Sequence, residues 1–224
     1  MAIKRIIAFG SAKGGVGKSS ITASIAISLS NNYKVGILDA DIHCPNQHLL
    51  FNINDIPNLK DKKNIKPIVK NKINIMSMGF ILDNTTSALW RGPLLSRAIK
   101  ELINKTTWGD LDYLLIDMPP GTGDAYLTIF NELDIDNFIL ISTRNDLAIS
   151  DSKRTISMLN KLNINILGYI ENDIFNLNDH ENTKLFKNIK NLGTIRFNKK
   201  INNFDHDYNN PDTLKIIKAI EKPI

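Results

Sequence analysis

The sequence predicts a doubly wound α/β fold with a mainly parallel sheet. First, an apolar run from Ile3 to Phe9 passes through a glycine-rich turn directly into a helical pattern between Ile21 and Leu29. Second, two later apolar runs each end in a carboxylate, at Asp39 and at Asp117. Ligands of such sheets bind beyond the carboxyl ends of the strands. We therefore expect the glycine turn and both carboxylates to lie near one ligand site.

The turn between the first strand and the first helix has the composition of a phosphate-binding loop. It runs from Gly10 to Ser20 and contains several glycines before a Lys18-Ser19 pair. Glycines allow backbone N–H groups to converge on an anion, and the helix N-terminus adds the positive end of its dipole. Lys18 can reach terminal phosphate oxygens and the Ser19 hydroxyl can ligate Mg²⁺, so the loop predicts a site for a nucleoside triphosphate. The predicted nucleotide-binding residues of the loop are Ala12, Lys13, Gly14, Gly15, Val16, Gly17, Lys18, Ser19 and Ser20.

A dinucleotide-binding turn is the alternative for the same stretch. Gly15 and Gly17 follow a strand, and Asp39 lies about twenty residues further on, where a ribose-binding acid belongs. The third small position, however, is Ser20, and a Lys-Ser pair fills the turn. These two features favour the phosphate-binding loop.

Composition places the chain among ordinary globular proteins. Of its 224 residues 42% are hydrophobic and 23% are charged, and we expect one P-loop domain over residues 1–224. The net charge of +5 is modest and the basic residues are scattered, so nucleic-acid binding is not predicted. The single cysteine, Cys44, excludes an intrachain disulfide. With no signal peptide and no long apolar run, this composition favours the cytoplasm or an equivalent reducing compartment.

The second predicted strand, Tyr33 to Leu38, delivers two carboxylates to the ligand edge of the sheet, Asp39 and Asp41. We expect Asp41 to orient the attacking water and Asp39 to lie nearer the metal. The alternative for each acid is that it caps the turn that follows, at His43 to Asn46.

The next stretch is predicted to be less regular. Asn52 to Lys72 is polar and punctuated by proline, which is typical of a loop, and Ile73 to Phe80 alternates like a strand. Trp90 is expected to pack, and Arg91 either contacts a phosphate or an interface or is a solvated residue at the entry of a helix. Pro93 suits the first turn of that helix. Its predicted apolar stripe is Leu94, Leu95, Ala98, Ile99, Leu102 and Ile103.

A strand that ends in Asp117 has the pattern of a Walker B element, which delivers a carboxylate to the Mg²⁺ shell opposite Ser19. Pro119 to Gly123 then predicts a loop that can sense the γ-phosphate, stiff at its proline end and hinged at its glycine end. Several carboxylates beside a triphosphate would repel it unless Mg²⁺ is present. The predicted Mg²⁺-binding residues are Ser19, Asp39 and Asp117.

The remaining elements complete the α/β pattern. Phe138 to Ser142 and Ile166 to Ile170 predict buried strands on either side of a helix around Ser152 to Leu162. The amphipathic stretch from Asp212 to Glu221 is short, so a docked terminal helix is favoured over a membrane-binding helix.

Four motifs in this order and spacing resemble the Mrp family of P-loop ATPases, which carry iron-sulfur clusters and are related to MinD. They are Lys13 to Ser19, Asp39 to Ile42, Trp90 to Pro93 and Asp117 to Asp124. The similarity extends from about residue 3 to Asn172. Gly193 to Phe197 further resembles the family's last strand and the loop that flanks its nucleotide. A lysine placed like Lys13 marks the deviant P-loop of the MinD/ParA class.

The resemblance implies slow ATP hydrolysis with Mg²⁺, a homodimer, and iron-sulfur client or assembly proteins as partners. It implies that Lys13 crosses the dimer interface to the partner's nucleotide. With Lys18 and Asp41, whose roles follow from the residues above, Lys13 completes the expected catalytic set. It also implies that Asn172 binds the adenine base, for which an amide is chemically suited. The alternative for Asn172 is that it turns the chain after a strand.

The chain also departs from the family. Members typically carry Cys-x-x-Cys shortly after the asparagine to bind a [4Fe–4S] cluster between two subunits, and this chain has no cysteine there. His43 and His48 flank Cys44 and could form a mixed ligand set, but a small, partly buried residue in the first switch is the favoured interpretation of Cys44. We expect the cluster site to be lost or supplied by a partner chain. The rival function is a nucleotide-switched positioning or scaffold ATPase of the MinD/ParA kind that carries no metal.

Overall fold

A computed structural model of the protein describes residues 2–58, 64–81, 92–174, 185–197 and 210–221. Strands and helices alternate along most of this chain. The strands are β1 Ile3–Ser11, β2 Val35–Asp39, β3 Ile68–Lys70, β4 Ile73–Ser77, β5 Leu111–Pro120, β6 Asn137–Ser142, β7 Ile166–Asp173 and β8 Asn191–Arg196. The helices are α1 Lys18–Ser30, α2 Gln47–Leu50, α3 Gly92–Lys105, α4 Asp124–Glu132, α5 Asp146–Lys161 and α6 Pro211–Ile220, with a 3₁₀ turn at Met78–Phe80.

The eight strands form one sheet in the order β3-β4-β2-β5-β1-β6-β7-β8. Every neighbouring pair is parallel except β3 and β4, which are antiparallel. The strand order runs outward in both directions from β1, as in doubly wound folds. The predicted fold class is therefore confirmed.

The core lies on both faces of the central strands. Strands β2 and β6 are buried at every position, and β5 is buried at nearly all of its positions. A parallel sheet covered by helices on both faces needs such continuous apolar runs rather than alternating ones. This explains why the sequence shows uninterrupted aliphatic stretches before Asp39 and Asp117.

The first helix buries the face that its sequence predicts, with Ile21, Ile25 and Leu29 each almost fully covered. The terminal helix α6 docks against α1, where Ser28 and Thr213 share a hydrogen bond of 3.0 Å between their hydroxyl oxygens. The predicted docking of this helix is thus seen in the structure. No helix among the described residues is long and apolar enough to cross a membrane.

Several predicted boundaries were wrong. The strand predicted over Ile73 to Phe80 ends at Ser77, because the Ser77 side chain accepts a hydrogen bond from the Gly79 N–H and turns the chain into the 3₁₀ turn. The segment from Asn52 to Lys72 was predicted to be mostly loop, and its described residues are mostly irregular apart from the short strand β3, which pairs with β4. Leu94, assigned to the buried stripe of α3, is 55% exposed.

Two other elements are longer than predicted. Strand β5 continues past Asp117 to Pro120, because Ser11 at the end of β1 pairs with Pro120. Helix α5 begins at Asp146, since the Asn145 side chain caps it by accepting from the N–H groups of Leu147 and Ala148. The predictions for Trp90 and Arg91 lie outside the described residues, and the single domain over residues 1–224 stays a prediction.

Candidate functional site

A cavity of about 610 Å³ lies at the carboxyl ends of the central strands, beside the N-terminus of α1. It combines the glycine loop with the segment that follows β2. Its lining residues are Ser11, Gly14, Gly15, Gly17, Lys18, Ser19, Ser20, Asp41, His43, Cys44, Asn46, Leu49, Leu50, Asn52 and Pro120. A cavity bounded by a glycine loop and a helix N-terminus suits a phosphate group.

The loop depends on glycine at two positions. Gly15 and Gly17 have φ angles of 80° and 83°, a left-handed conformation that side chains rarely adopt. Gly17 is also the N-cap of α1, and a Cβ at this position would collide with the side-chain amide of Asn172. These constraints fix the direction in which the first turn of α1 presents Lys18.

Lys18 is buried among the predicted catalytic and metal-binding carboxylates. Its ammonium group donates to Asp117 and lies 3.9 Å from Oδ2 of Asp41. Burial acts to lower the pKa of Lys18, but the charges and the hydrogen bond of the adjacent carboxylates outweigh it, and the pKa is raised. Lys18 therefore stays charged at the floor of the cavity.

Asp39 and Asp117 lie side by side because they are register partners in the parallel pair of β2 and β5. Both are fully buried. Oδ2 of Asp39 accepts from the N–H of Gln47 and the hydroxyl of Ser77, at 3.0 and 2.8 Å, and Oδ1 accepts from the N–H of Asp41 at 3.2 Å. Burial, together with the charge of Asp117, raises the pKa of Asp39 to about 7. Both oxygens of Asp39 are thus engaged by the protein itself.

Asp41 lines the cavity, unlike Asp39. Its Oδ1 accepts from the backbone N–H groups of His43 and Cys44, each at 3.1 Å, and its Oδ2 faces Lys18. Burial raises the pKa of the Asp41 carboxyl, against the lowering effect of Lys18. Asp41 therefore both caps the turn that follows it and lies close to Lys18.

Gln47, which the sequence analysis missed, connects these carboxylates. It is fully buried, and its Nε2 donates to Oδ2 of Asp117 at 2.8 Å and to the carbonyl of Ser19 at 3.0 Å. No spacing or periodicity singles out this residue, since it begins α2, a helix of only four residues. Only the three-dimensional arrangement brings it to the site.

Some predicted loop residues do not line the cavity. Lys13 is exposed, Ala12 is half-buried, and the side chain of Val16 is buried in the core. The Ser11 hydroxyl donates to the carbonyl of Lys13 at 3.0 Å, which anchors the backbone there while the charged side chain extends outward. The structure thus brings together Lys18, Ser19, Asp41 and Asp117, and leaves Lys13 on the surface.

Asn172 also lies outside the cavity lining. It was predicted to follow a strand, but it lies inside β7, which continues to Asp173 because β8 pairs with its last residues. Its Nδ2 donates to the carbonyl of Val16 at 2.9 Å. The residue therefore contacts the phosphate-binding loop directly.

The family of the chain follows from a comparison of the whole sequence. A model described as ParA, the NUBPL iron-transfer P-loop NTPase family, matches residues 2–204. The chain belongs to this family. Membership favours the phosphate-binding loop over the dinucleotide-binding turn and agrees with the resemblance to Mrp proteins.

Curated members of the family are similar over most of this chain. An iron-sulfur cluster carrier protein from Pseudomonas fragi is 43% identical over 173 residues, which are 76% of this chain and 60% of that protein. One from Rickettsia conorii is 46% identical over 76% of this chain and 53% of its own length. An iron-sulfur protein required for NADH dehydrogenase, from mitochondria of Arabidopsis thaliana, is 40% identical over 76% of this chain and 55% of its own length. The chain thus spans little more than half the length of these relatives.

Solved structures share the fold. A nucleotide-binding protein from Archaeoglobus fulgidus in complex with ADP is 30% identical, with a TM-score of 0.72 over 98% of this chain and 90% of that one. The septum site-determining protein MinD from Pyrococcus horikoshii, complexed with Mg-ADP, has a TM-score of 0.72 over 97% of this chain and 96% of its own, at 19% identity. At 19% identity, the similarity to MinD shows the fold alone.

The environment of Cys44 in the structure differs from the one that the sequence predicts. Cys44 was expected to be partly buried, but it is exposed and lines the cavity, in the turn whose N–H groups donate to Asp41. The ring of His48 packs against Phe80, with ring centroids 5.8 Å apart, and its Nδ1 lies 3.4 Å from the Ser77 hydroxyl. His48 is thus engaged with the 3₁₀ turn and its preceding strand.

Proposed function

We propose that this chain binds MgATP, hydrolyses it slowly as a homodimer, and serves the carriage or assembly of iron-sulfur clusters. The observation that carries the proposal is the arrangement of Lys18 at the floor of a glycine-lined cavity, between Asp117 and Asp41. A buried cation at a helix N-terminus attracts a phosphate, and carboxylates behind it suit a hydrated divalent cation.

The loop accounts for nucleotide binding. Backbone N–H groups from Gly14 to Ser20 would donate to phosphate oxygens, and Lys18 would turn from Asp117 toward the terminal phosphate. Asn172, next to the loop, would bind the adenine base through its amide. The bound ADP of the Archaeoglobus fulgidus relative supports a nucleotide in this fold.

Metal binding is proposed for Ser19 and Asp117, with Asp39 in support. Ser19 lines the cavity, and Asp117 lies behind it on a rigid strand. Asp39 is also proposed to act at the metal site. Its hydrogen bonds to Gln47 and Ser77 favour an indirect role, in which it supports the site without touching the ion. Bound Mg²⁺ would offset the negative charge of the phosphates and of the nearby carboxylates.

Asp41 is proposed to orient the attacking water. Its Oδ1 is held by two backbone N–H groups, so its second oxygen keeps a fixed direction beside the cavity. Burial raises its pKa, which makes the carboxylate a better proton acceptor than a solvated aspartate. Hydrolysis would then depend on Asp41 for the water and on Lys18 for the charge that develops on the phosphate.

The cluster is proposed as cargo whose ligands come from elsewhere. A [4Fe–4S] cluster usually takes four cysteine thiolates, and the whole sequence offers one, Cys44. A dimer would supply two, both beside the phosphates. We therefore propose that a partner chain contributes the missing ligands, in keeping with a cytoplasmic or otherwise reducing compartment.

Two activities measured together test this function. The wild-type chain should hydrolyse ATP in the presence of Mg²⁺, and it should accelerate transfer of a [4Fe–4S] cluster from a loaded donor protein to an apo-acceptor. Lys18→Ala should lose both effects, because it weakens nucleotide binding. Hydrolysis without any effect on cluster transfer would instead favour the positioning or scaffold function, and absence of hydrolysis would overturn the proposal.

A further inference from the structure

Gln47 lies at the meeting point of the three segments that form the phosphate site. Its Nε2 donates to the carbonyl of Ser19, at the start of α1, and to Oδ2 of Asp117, at the end of β5. Its backbone N–H donates to Oδ2 of Asp39, the register partner of Asp117. One residue therefore joins the phosphate-binding loop, the Walker B strand and the end of β2.

The orientation of this amide is fixed by its partners. The Ser19 carbonyl and the Asp117 carboxylate are both acceptors, so the side chain must present its nitrogen to them. Its Oε1 is buried and has no hydrogen-bond partner among the described residues. A buried acceptor without a partner is costly, so the two donor contacts of Nε2 must outweigh this cost.

The residue is also rigidly held. Gln47 is fully buried, and so is Phe51, whose N–H donates to the Gln47 carbonyl at 3.0 Å. The short helix α2 is therefore anchored at both ends, by the Phe51 side chain and by the contact of Gln47 with Asp39. A side chain fixed in this way can hold another group in place.

We propose that Gln47 is a positioning residue that holds the Asp117 carboxylate in place for the metal. This inference rests on the proposed MgATP site. In the structure, Asp117 is held by Lys18 at Oδ1 and by Gln47 at Oδ2. When Lys18 turns to the phosphates, only the second of these two contacts remains. Gln47 would then hold Oδ2 of Asp117 through the same Nε2 that donates to the Ser19 carbonyl, and Oδ1 would be available to Mg²⁺.

The test measures the affinity for nucleotide without metal separately from the Mg²⁺ concentration that the site requires. Binding of a fluorescent ADP analogue is measured in EDTA and then during titration with MgCl₂, for the wild type and for Gln47→Met. Methionine has a similar length and flexibility but donates no hydrogen bond. We expect affinity in EDTA within about twofold of the wild type, and a Mg²⁺ requirement raised about 10- to 100-fold, as for other partners of metal ligands. The kcat for ATP should fall by a similar factor with little change in KM.

Two further variants control for stability. Gln47→Asn keeps the amide but is one methylene too short to reach Asp117, so it should reproduce the metal defect if Gln47→Met folds poorly. Ser28→Ala removes a buried hydrogen bond between α1 and α6, away from the site, and should lower the melting temperature without shifting the Mg²⁺ requirement.

Each outcome bears on a different claim. If the wild type responds to Mg²⁺ and both Gln47 variants keep its Mg²⁺ requirement and kcat, the positioning role is wrong while the MgATP site stands. If the wild type binds no nucleotide or shows no response to Mg²⁺, the proposed function fails and the role of Gln47 fails with it.

Discussion

At the scale of single residues, the site gathers one buried lysine and several buried carboxylates. Lys18 lies beside Asp117 and Asp41, and the pKa of Asp39 is raised by burial and by Asp117. The sequence predicted Lys18, Ser19, Asp41 and Asp117 because strand ends and glycine loops have recognisable patterns. It could not predict Gln47, whose contacts join residues 28 and 70 positions away.

The role of Asp41 can be tested by Asp41→Asn. The asparagine oxygen can still accept from the N–H groups of His43 and Cys44, so the turn should persist, but the amide cannot accept a proton from water. We expect kcat to fall by about 100-fold or more, while affinity for ADP changes by less than about threefold. Steady-state ATP hydrolysis and equilibrium binding of ADP measure the two effects. A kcat like that of the wild type would remove Asp41 from the mechanism.

At the scale of elements, the order of strands and helices was predictable because buried parallel strands are continuous apolar runs. Their ends were less predictable, since pairing with a neighbouring strand decides where each one stops. Strand β7 reaches Asp173 only because β8 pairs with it, and β5 reaches Pro120 only because Ser11 lies opposite. These partners are distant in sequence, so no local pattern contains them.

The close packing of β1 at Gly10 against side chains from β6 and α4 gives a prediction at this scale. A Cβ at Gly10 would collide with the ring of Phe138 and would lie 2.6 Å from the hydroxyl of Tyr126, both fully buried. We therefore expect Gly10→Ala to lower the free energy of unfolding by about 1–3 kcal/mol, as overpacked cores do. Urea denaturation measures the change. Gly14→Ala is the matched control, because a Cβ there meets no atom within 4 Å, and an equal loss in both variants would contradict the packing argument.

At the scale of the whole molecule, the exposed Lys13 bears on the proposed dimer. If Lys13 acts on the partner's nucleotide, Lys13→Ala and Lys18→Ala subunits should each be inactive alone and should recover activity when mixed. In the mixed dimer, the Lys13→Ala subunit keeps Lys18 and receives Lys13 from its partner. ATP hydrolysis at increasing ratios of the two variants measures the recovery. Full activity of Lys13→Ala alone would exclude the proposed role.

We propose that this member of the NUBPL family retains its nucleotide site while the ligands of the cluster come from another chain. Anaerobic reconstitution of the purified protein with iron and sulfide tests whether the chain binds a cluster by itself, with absorbance and bound iron measured for the wild type and Cys44→Ser. We expect no stoichiometric cluster absorbance and equal iron contents in both proteins, because one thiolate per chain cannot complete a [4Fe–4S] centre. A stable cluster shared by two wild-type subunits, and lost in Cys44→Ser, would contradict it.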